Sequence, residues 1–229
     1  MTSTQRIQIE PCYILHRRKF KESSYLVDLF TQNYGVVRAA TRTISKHKKS
    51  LVQPFTPCHV SWTQKKELAS LTHIEQRAVP FTLMGHALAS AFYMNEITIK
   101  SLRINDDFSD LFAQYEQTLQ QLTLEPTSIA LPLRLYEKKL LETLGYGLPI
   151  HTVIDMQLPA EWYIFSTQEG FIPQHIPHSQ AISHQTLVDF SHGKINTPQA
   201  HKEIKRLMQT ALSVLLSNQP IQSRALVAT

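Results

Sequence analysis

The sequence predicts an α+β fold of two domains: a small β-barrel over residues 1–80, then a mainly helical region over residues 81–229. First, about five short segments of the first eighty residues are rich in β-formers or alternate between apolar and polar residues. Second, the apolar period becomes helical after Pro80. Third, 42% of the 229 residues are hydrophobic and 18% are charged, so the chain can bury a core and is not of the disordered class.

Five strands are predicted in the first domain. The first alternates apolar and polar residues, and the second and third flank a turn in which Gly35 suits a positive φ, so they form a predicted hairpin. The predicted strands are Cys12–Arg17, Tyr25–Thr31, Val36–Arg42, Cys58–Thr63 and Leu68–Arg77. Five strands in eighty residues is the count expected of a small closed barrel, and an SH3-like barrel has a similar count. The strand count alone therefore leaves the type of barrel open.

Helical periodicity dominates the second domain. The predicted helices are Phe81–Leu102, Phe108–Leu122, Ser128–Leu144 and Gln199–Leu216. The third has the clearest apolar stripe and is followed by Gly145, which suits a left-handed helix end. Between residues 149 and 197 the pattern weakens. There we expect an irregular insertion with a small β element at Glu161–Ser166 and Gly170–Pro173 and a helical turn at Leu187–Phe190.

Positive charge is concentrated in the first domain, which has a net charge of +8 against −3 for the second. Three basic runs converge on the predicted barrel: Arg17, Arg18, Lys19 and Lys21 in the first, Arg38 and Arg42 in the second, and Lys46, Lys48 and Lys49 in the third. One such run is usually only a solvated face, but three on one barrel favour a phosphate backbone as the partner. Phe20 and Tyr34 occupy loop and turn positions, so we expect these rings to be exposed for base stacking.

Missing motifs exclude several functional classes. There is no G-x-x-x-x-G-K loop and no G-x-G-x-x-G run, so nucleotide-driven chemistry is not expected. No C-x-x-C pair occurs, and Cys12 and Cys58 are interpreted as reduced core thiols. Four histidines lack the thiol or carboxylate pattern of a zinc site and are interpreted as surface residues: His175, His178, His184 and His192. Without an acid–base pair, signal peptide or membrane span, the sequence predicts a cytoplasmic, non-enzymatic protein with no metal or cofactor.

The predicted helix Ser128–Leu144 carries a second group of cations: Arg134, Lys138 and Lys139. They could simply pair along the helix with Glu137 and Glu142. They could instead border a groove for an acidic peptide with an apolar tip, in which the cations bind its carboxylates. The sequence leaves both readings open.

The order of these motifs resembles the RecO family of bacterial recombination mediators over essentially the whole chain. The resemblance rests on Glu22–Leu26, the turn Asn33–Gly35, the basic stretch Arg38–Ser50 followed by Pro54-Phe55, the segment Tyr93–Glu96, the leucine-rich Leu133–Gly147, and Ser223-Arg224. It implies an OB-fold barrel, a helical C-terminal domain and a role in RecF-pathway repair. It also implies binding and annealing of single- and double-stranded DNA, binding of the tail of single-stranded DNA-binding protein (SSB), and action with RecR in loading RecA.

The resemblance gives the basic residues provisional roles. The DNA-binding residues would be Arg17, Lys19, Lys21, Arg38, Arg42, Lys46, Lys48 and Lys49, and the SSB-tail residues would be Arg134, Lys138 and Lys139. Many members of the family carry a four-cysteine zinc module, but this chain has no cysteine after Cys58 and would belong to a zinc-free branch. Thr41 also stands where a glycine is common. An RNA-binding factor and a pure interaction scaffold remain the alternatives, and we expect a monomer in isolation.

Overall fold

The structure is a computed structural model that describes residues 4–21, 24–41, 51–64, 67–102, 107–155, 160–216 and 219–223. It contains two compact units. The first comprises Met1–Pro126 with Ile221–Thr229, and the second comprises Thr127–Pro220. The first two helices after the barrel therefore group with the barrel. The expected division into domains at residue 80 stays a prediction.

Five strands of the first unit form an OB-like barrel, as predicted. They are β1 Gln5–Lys21, β2 Ser24–Thr31, β3 Gly35–Thr41, β4 Pro57–Gln64 and β5 Ala69–Gln76. They pair in the cyclic order β1-β2-β3-β5-β4, and β4 pairs back with β1 to close the sheet. All neighbours are antiparallel except β3 and β5, whose parallel pairing begins at Ala39 and Ala69. Gly35 has a φ of 65°, as the predicted turn requires.

Strand β1 is much longer than its predicted central segment because it pairs with both β2 and β4. A strand of this length must bend as it curves around a small closed barrel, and bulges supply that bend. The β1–β2 register shifts between Ile14 and His16 and again between Lys19 and Lys21. The β1–β4 register shifts between Ile7 and Glu10.

Alternate residues of the strands fill the barrel. The buried cluster includes Cys12, Ile14, Val27, Leu29, Val37, Val60 and Trp62. Both cysteines are buried free thiols, and they face each other on β1 and β4. Burial raises the pKa of the Cys58 thiol to about 12. Tyr34 is partly buried and packs edge-on against Trp62 at 5.4 Å, so it is not the exposed ring that its turn position predicted. Phe20 is 45% exposed.

Helices α1 Gly85–Ser101 and α2 Ser109–Leu124 complete the described part of the first unit. The Asn95 side chain donates a hydrogen bond of 2.9 Å to the Leu15 carbonyl on β1, and it accepts one of 2.6 Å from the Tyr115 hydroxyl on α2. The Tyr13 ring packs 5.1 Å from Tyr115. Buried polar and aromatic contacts thus fix both helices to the barrel.

The second unit confirms the weakly patterned β element. It consists of α3 Ala130–Thr143, α4 His151–Ile154, β6 Trp162–Ser166, β7 Gly170–Gln174, β8 Ile182–Ser183, α5 His184–Ser191 and α6 Pro198–Leu215, with the strand order β7-β6-β8. The helical turn expected at Leu187–Phe190 is part of a longer helix, α5. This helix begins after Ser183, and the Ser183 hydroxyl accepts a hydrogen bond from the Thr186 N–H. Gly145 follows α3 with a φ of 80°, as predicted. None of the helices among the described residues is long and apolar enough to cross a membrane.

Candidate nucleic-acid interface

The outer face of strands β1, β2 and β3 brings charged side chains together. Asp28 on β2 is the cross-strand partner of both His16 on β1 and Arg38 on β3. Its neighbours Val27 and Leu29 belong to the barrel core. Because side chains alternate along a strand, Asp28 and its two partners project from the opposite, outer surface. We call the residues His16, Arg18, Asp28 and Arg38 the charged face.

An acid orients one cation of the charged face. The Arg38 Nε donates to the Asp28 Oδ1 at 2.7 Å, with the Asp28 side chain only 10% exposed and that of Arg38 53% exposed. The hydrogen bond and the negative charge of Asp28 raise the pKa of Arg38. This contact occupies Nε alone, so the terminal amino groups of the guanidinium can meet an anion in solvent. The other oxygen of Asp28 lies 3.7 Å from His16 Nδ1.

The bulge at Leu15 decides which cations of β1 join this face. Leu15 has no partner in the β1–β2 register, and Arg18 lies opposite Leu26 beyond it. Arg17 instead lies opposite the core residue Val27, donates to the Val52 carbonyl at 2.9 Å and is half-buried. The structure therefore places Arg18, which the sequence prediction had passed over, on the charged face.

The remaining predicted DNA-binding residues are distributed differently. Lys19 is exposed and lies opposite Tyr25, which packs against the core. The Lys21 side chain lies outside the described residues, as do Arg42, Lys46, Lys48 and Lys49. The sequence does place Arg18 in the same basic run as Arg17, but it does not show the bulge that decides which of the two joins the charged face.

A cavity of about 690 Å³ lies between the charged face and α1. Its barrel wall includes Arg18 and Arg38, and its helix wall includes Phe92, Ile99 and Lys100. A second cavity of about 570 Å³ shares Arg18, Asp28, Arg38 and Ile99 with the first and continues to Leu68 and Leu102. Both volumes lie in the range of small-molecule sites. The charged face thus borders a continuous groove with apolar walls.

The C-terminal segment closes one side of the larger cavity through Glu96. This carboxylate accepts hydrogen bonds from Gln222 N–H at 2.9 Å, from Ser223 N–H at 2.8 Å, from the Ser223 hydroxyl at 2.6 Å and from Lys100 Nζ at 2.6 Å. Partial burial by itself raises the pKa of Glu96, but the hydrogen bonds from Lys100, Ser223 and Gln222 outweigh it and lower the pKa to about 2. The segment is therefore held to α1 by an ionised carboxylate.

The predicted SSB-tail cations lie on α3 and are already engaged within the second unit. Arg134 is 12% exposed and its Nη1 lies 2.6 Å from the fully buried carboxylate of Glu137. Lys138 lies 3.7 Å from Glu142 and over the ring of Phe190 at 5.7 Å. The pairing along the helix that the sequence left open is present for Arg134 and Lys138. Lys139 is half-exposed.

The histidine-rich segment of this unit lies largely at the surface. Among the described residues, no group of three or more His, Cys, Asp and Glu side chains is placed to hold an ion. His175, His178 and His192 are exposed. His184 is half-buried beside the ring of Tyr163.

Comparison with known proteins covers nearly the whole chain. A family model described as "Recombination protein O N terminal" matches residues 6–79, and one described as "Recombination protein O C terminal" matches residues 84–225. DNA repair protein RecO of Coxiella burnetii (strain CbuG_Q212) is 33% identical over 98% of this chain and 99% of its own length. The RecO proteins of Nitrosococcus oceani and Marinobacter nauticus are 32% and 35% identical over 97% and 96% of this chain, and over 93% and 94% of their own lengths.

The barrel and these matches define the class of the molecule, a protein of DNA repair and recombination with an OB-like N-terminal region. Within that class, the chain belongs to the RecO family. The family resemblance found in the sequence is therefore confirmed.

We predict that the substitution Glu96→Gln destabilises the protein in a pH-dependent way. The folded pKa of about 2 lies below the ordinary value of 4.5. The ionised carboxylate therefore stabilises the fold fully above pH 4.5, and this contribution is lost as the pH falls towards 2. At pH 7 the variant should lose about 1–3 kcal/mol in the free energy of unfolding, the range for hydrogen bonds to a charged group.

Urea unfolding of both proteins at pH 7, 5 and 3.5 measures this difference, which should shrink on acidification. Glu75→Gln is the matched control, because the Glu75 carboxylate is half-exposed and faces only His59 and His73 among the described ion pairs. A Glu96→Gln difference that stays constant from pH 7 to pH 3.5 would contradict the assignment.

Proposed function

We propose that this chain is a recombination mediator of the RecF pathway that binds DNA through its barrel and performs no chemistry of its own. The observation that carries the proposal is the charged face of the barrel, on which two arginines border an apolar groove in a member of a DNA repair family. Phosphate contacts position a strand without reading its sequence. Such a surface suits a protein that must handle any single strand exposed by damage.

The proposed phosphate contacts come from the charged face and from the predicted loop that carries Lys46, Lys48 and Lys49, which we call the basic loop. Arg38 and Arg18 would meet one strand at the groove. Arg42, Lys46, Lys48 and Lys49 would extend the positive surface beyond β3, and Lys19 and Lys21 would extend it at the end of β1. Neutralising phosphates lowers the repulsion between two strands, so this surface supports annealing of complementary single strands as well as binding of duplex DNA.

We place the proposed SSB-tail site on α3, with Lys138 and Lys139 as the cations for its carboxylates. Exchanging the long, partly exposed contact of Lys138 with Glu142 for a tail carboxylate costs little. Releasing Arg134 would break its 2.6 Å contact with the fully buried carboxylate of Glu137, which is unfavourable. Arg134 would therefore hold the helix surface in place while the lysines bind. In the same proposal, the chain acts with RecR to help load RecA onto SSB-coated strands.

Reversing the charge of the basic loop with Lys46→Glu, Lys48→Glu and Lys49→Glu should weaken DNA binding for every sequence tested. Each lost phosphate contact removes about one unit from the slope of log affinity against log salt, so the slope should fall by about two to three. Fluorescence anisotropy of a labelled single strand at several salt concentrations measures both quantities.

A matched control carries the same total charge change in the second unit: Lys194→Glu, Lys202→Glu and Lys205→Glu, all at exposed positions. An equal loss of DNA affinity in this control would show that the effect comes from net charge alone. An unchanged DNA affinity in the basic-loop variant would refute the assignment of phosphate contacts to that loop.

Competition between DNA and RNA strands of equal sequence tests the alternative of an RNA-binding factor. An OB fold can serve either nucleic acid, and only contacts to the 2′-hydroxyl distinguish them. We expect DNA to compete at least as well as RNA. Preference for RNA would favour the alternative, and failure of both to bind at moderate salt would favour an interaction scaffold.

The double variant Lys138→Glu and Lys139→Glu should weaken binding of a labelled SSB tail peptide about tenfold or more, since two favourable charge contacts become repulsive. Peptide anisotropy measures the affinity. Lys202→Glu with Lys205→Glu, on exposed positions of α6, supplies the control with the same net charge. If both variants bind the peptide equally well, the tail site does not lie on α3.

A further inference from the structure

We propose that the groove beside the charged face is a binding site for unpaired nucleobases, with Phe92 as its stacking ring. This inference rests on the proposed function and goes beyond it, because it assigns the groove to bases and not only to phosphates. A site of this kind binds DNA only where the strand is unpaired.

The walls of the groove have the chemistry that a base requires. Phe92 and Leu68 are 36% and 42% exposed, which is unusual for large apolar side chains inside a cavity, and each lines one of the two cavities. Ile99 lies where the two cavities meet. Bases stack on aromatic and apolar surfaces regardless of sequence, since every base has a π-face.

The ring of Phe92 is supported from behind. Phe55 packs edge-on against it with ring centroids 5.1 Å apart, and Phe55 is itself buried. Phe55 also has a φ of 65°, a left-handed conformation that is uncommon for a bulky residue. Strained backbone of this kind persists where the surrounding structure holds it, and it is concentrated at functional sites. Here it presents a fixed aromatic edge to the ring that lines the cavity.

The charges of the groove favour a nucleotide over an acidic peptide. Arg18 and Arg38 line both cavities, so a phosphate at this shared position would leave the adjoining bases facing the apolar walls. The lining of the two cavities also contains the carboxylates of Asp28, Glu96 and Glu67. Asp28 and Glu96 are compensated by Arg38 and Lys100, and a peptide would have to bring further carboxylates beside all three. A base is a neutral group, and the charge of the nucleotide stays on its phosphate, beside Arg18 and Arg38.

The test compares three labelled probes of about 20 nucleotides that differ in available bases: oligo-dT, an abasic strand of the same length, and a duplex. Anisotropy is measured with the full chain over a range of salt. Wild-type protein should bind oligo-dT about tenfold more tightly than the abasic strand. Phe92→Ala should remove most of that preference and leave both the abasic affinity and the salt slope unchanged.

Two further variants distinguish loss of the base site from a general effect of removing an apolar side chain. Phe20→Ala removes an exposed ring that does not line either cavity, so it should retain the preference for bases. Ile99→Ala shortens a wall shared by both cavities without touching the support from Phe55, and it should lower the preference as Phe92→Ala does. Circular dichroism verifies that each variant is folded.

Equal binding of oligo-dT and the abasic strand by wild-type protein would overturn the base site while leaving DNA binding intact. Binding of none of the probes would instead contradict the proposed function. A loss in Phe92→Ala that is equal for all three probes would assign the ring to support of the fold, which also overturns the site. If an acidic peptide binds and Phe92→Ala abolishes that binding, the groove is a peptide site and the proposal is wrong.

Discussion

The bulge at Leu15 is the constraint on which the rest of the first unit depends. Leu15 is the extra residue of β1 in its pairing with β2, so its carbonyl is available to the Asn95 side chain of α1. Asn95 in turn accepts the Tyr115 hydroxyl of α2. One unpaired residue in a barrel strand thereby supplies the buried acceptor that fixes both helices. Satisfying a buried polar group in this way matters because leaving it unpaired would cost its full desolvation penalty, which exceeds the net contribution of a typical hydrogen bond.

The same bulge determines the charge of the barrel surface. Cys12 and Ile14 point into the core, and uninterrupted alternation would turn the even-numbered positions after them inward as well. The extra residue reverses the phase, so that His16 and Arg18 join Asp28 and Arg38 on the outside. Anchoring of the helices and assembly of the groove therefore have a single structural origin. A strand without the bulge would lose both features together.

Periodicity and turn chemistry were sufficient to predict the central parts of the five barrel strands and of the main helices. They failed where an element depends on two partners or on one irregular residue. The full length of β1 follows from pairing with both β2 and β4, which no local pattern encodes. The predicted DNA-binding set included Arg17 and not Arg18, whereas the bulge places Arg18 on the charged face and Arg17 opposite the core residue Val27. Tyr34 was expected in solvent because it lies in a turn, yet its ring packs against Trp62 across the barrel.

Contacts between residues far apart in the sequence could not be predicted either, because no local pattern encodes them. Glu96 and Ser223 are separated by 127 residues, and the two segments of the family resemblance in which they stand do not indicate that they contact each other. Their hydrogen bonds return the end of the chain to the first unit, so residues 127–220 form an insertion in sequence between α2 and the C-terminal segment. Helices α1 and α2 contact the barrel through such long-range hydrogen bonds: Asn95 of α1 donates to the Leu15 carbonyl, and Tyr13 of β1 donates to the Glu116 carboxylate of α2.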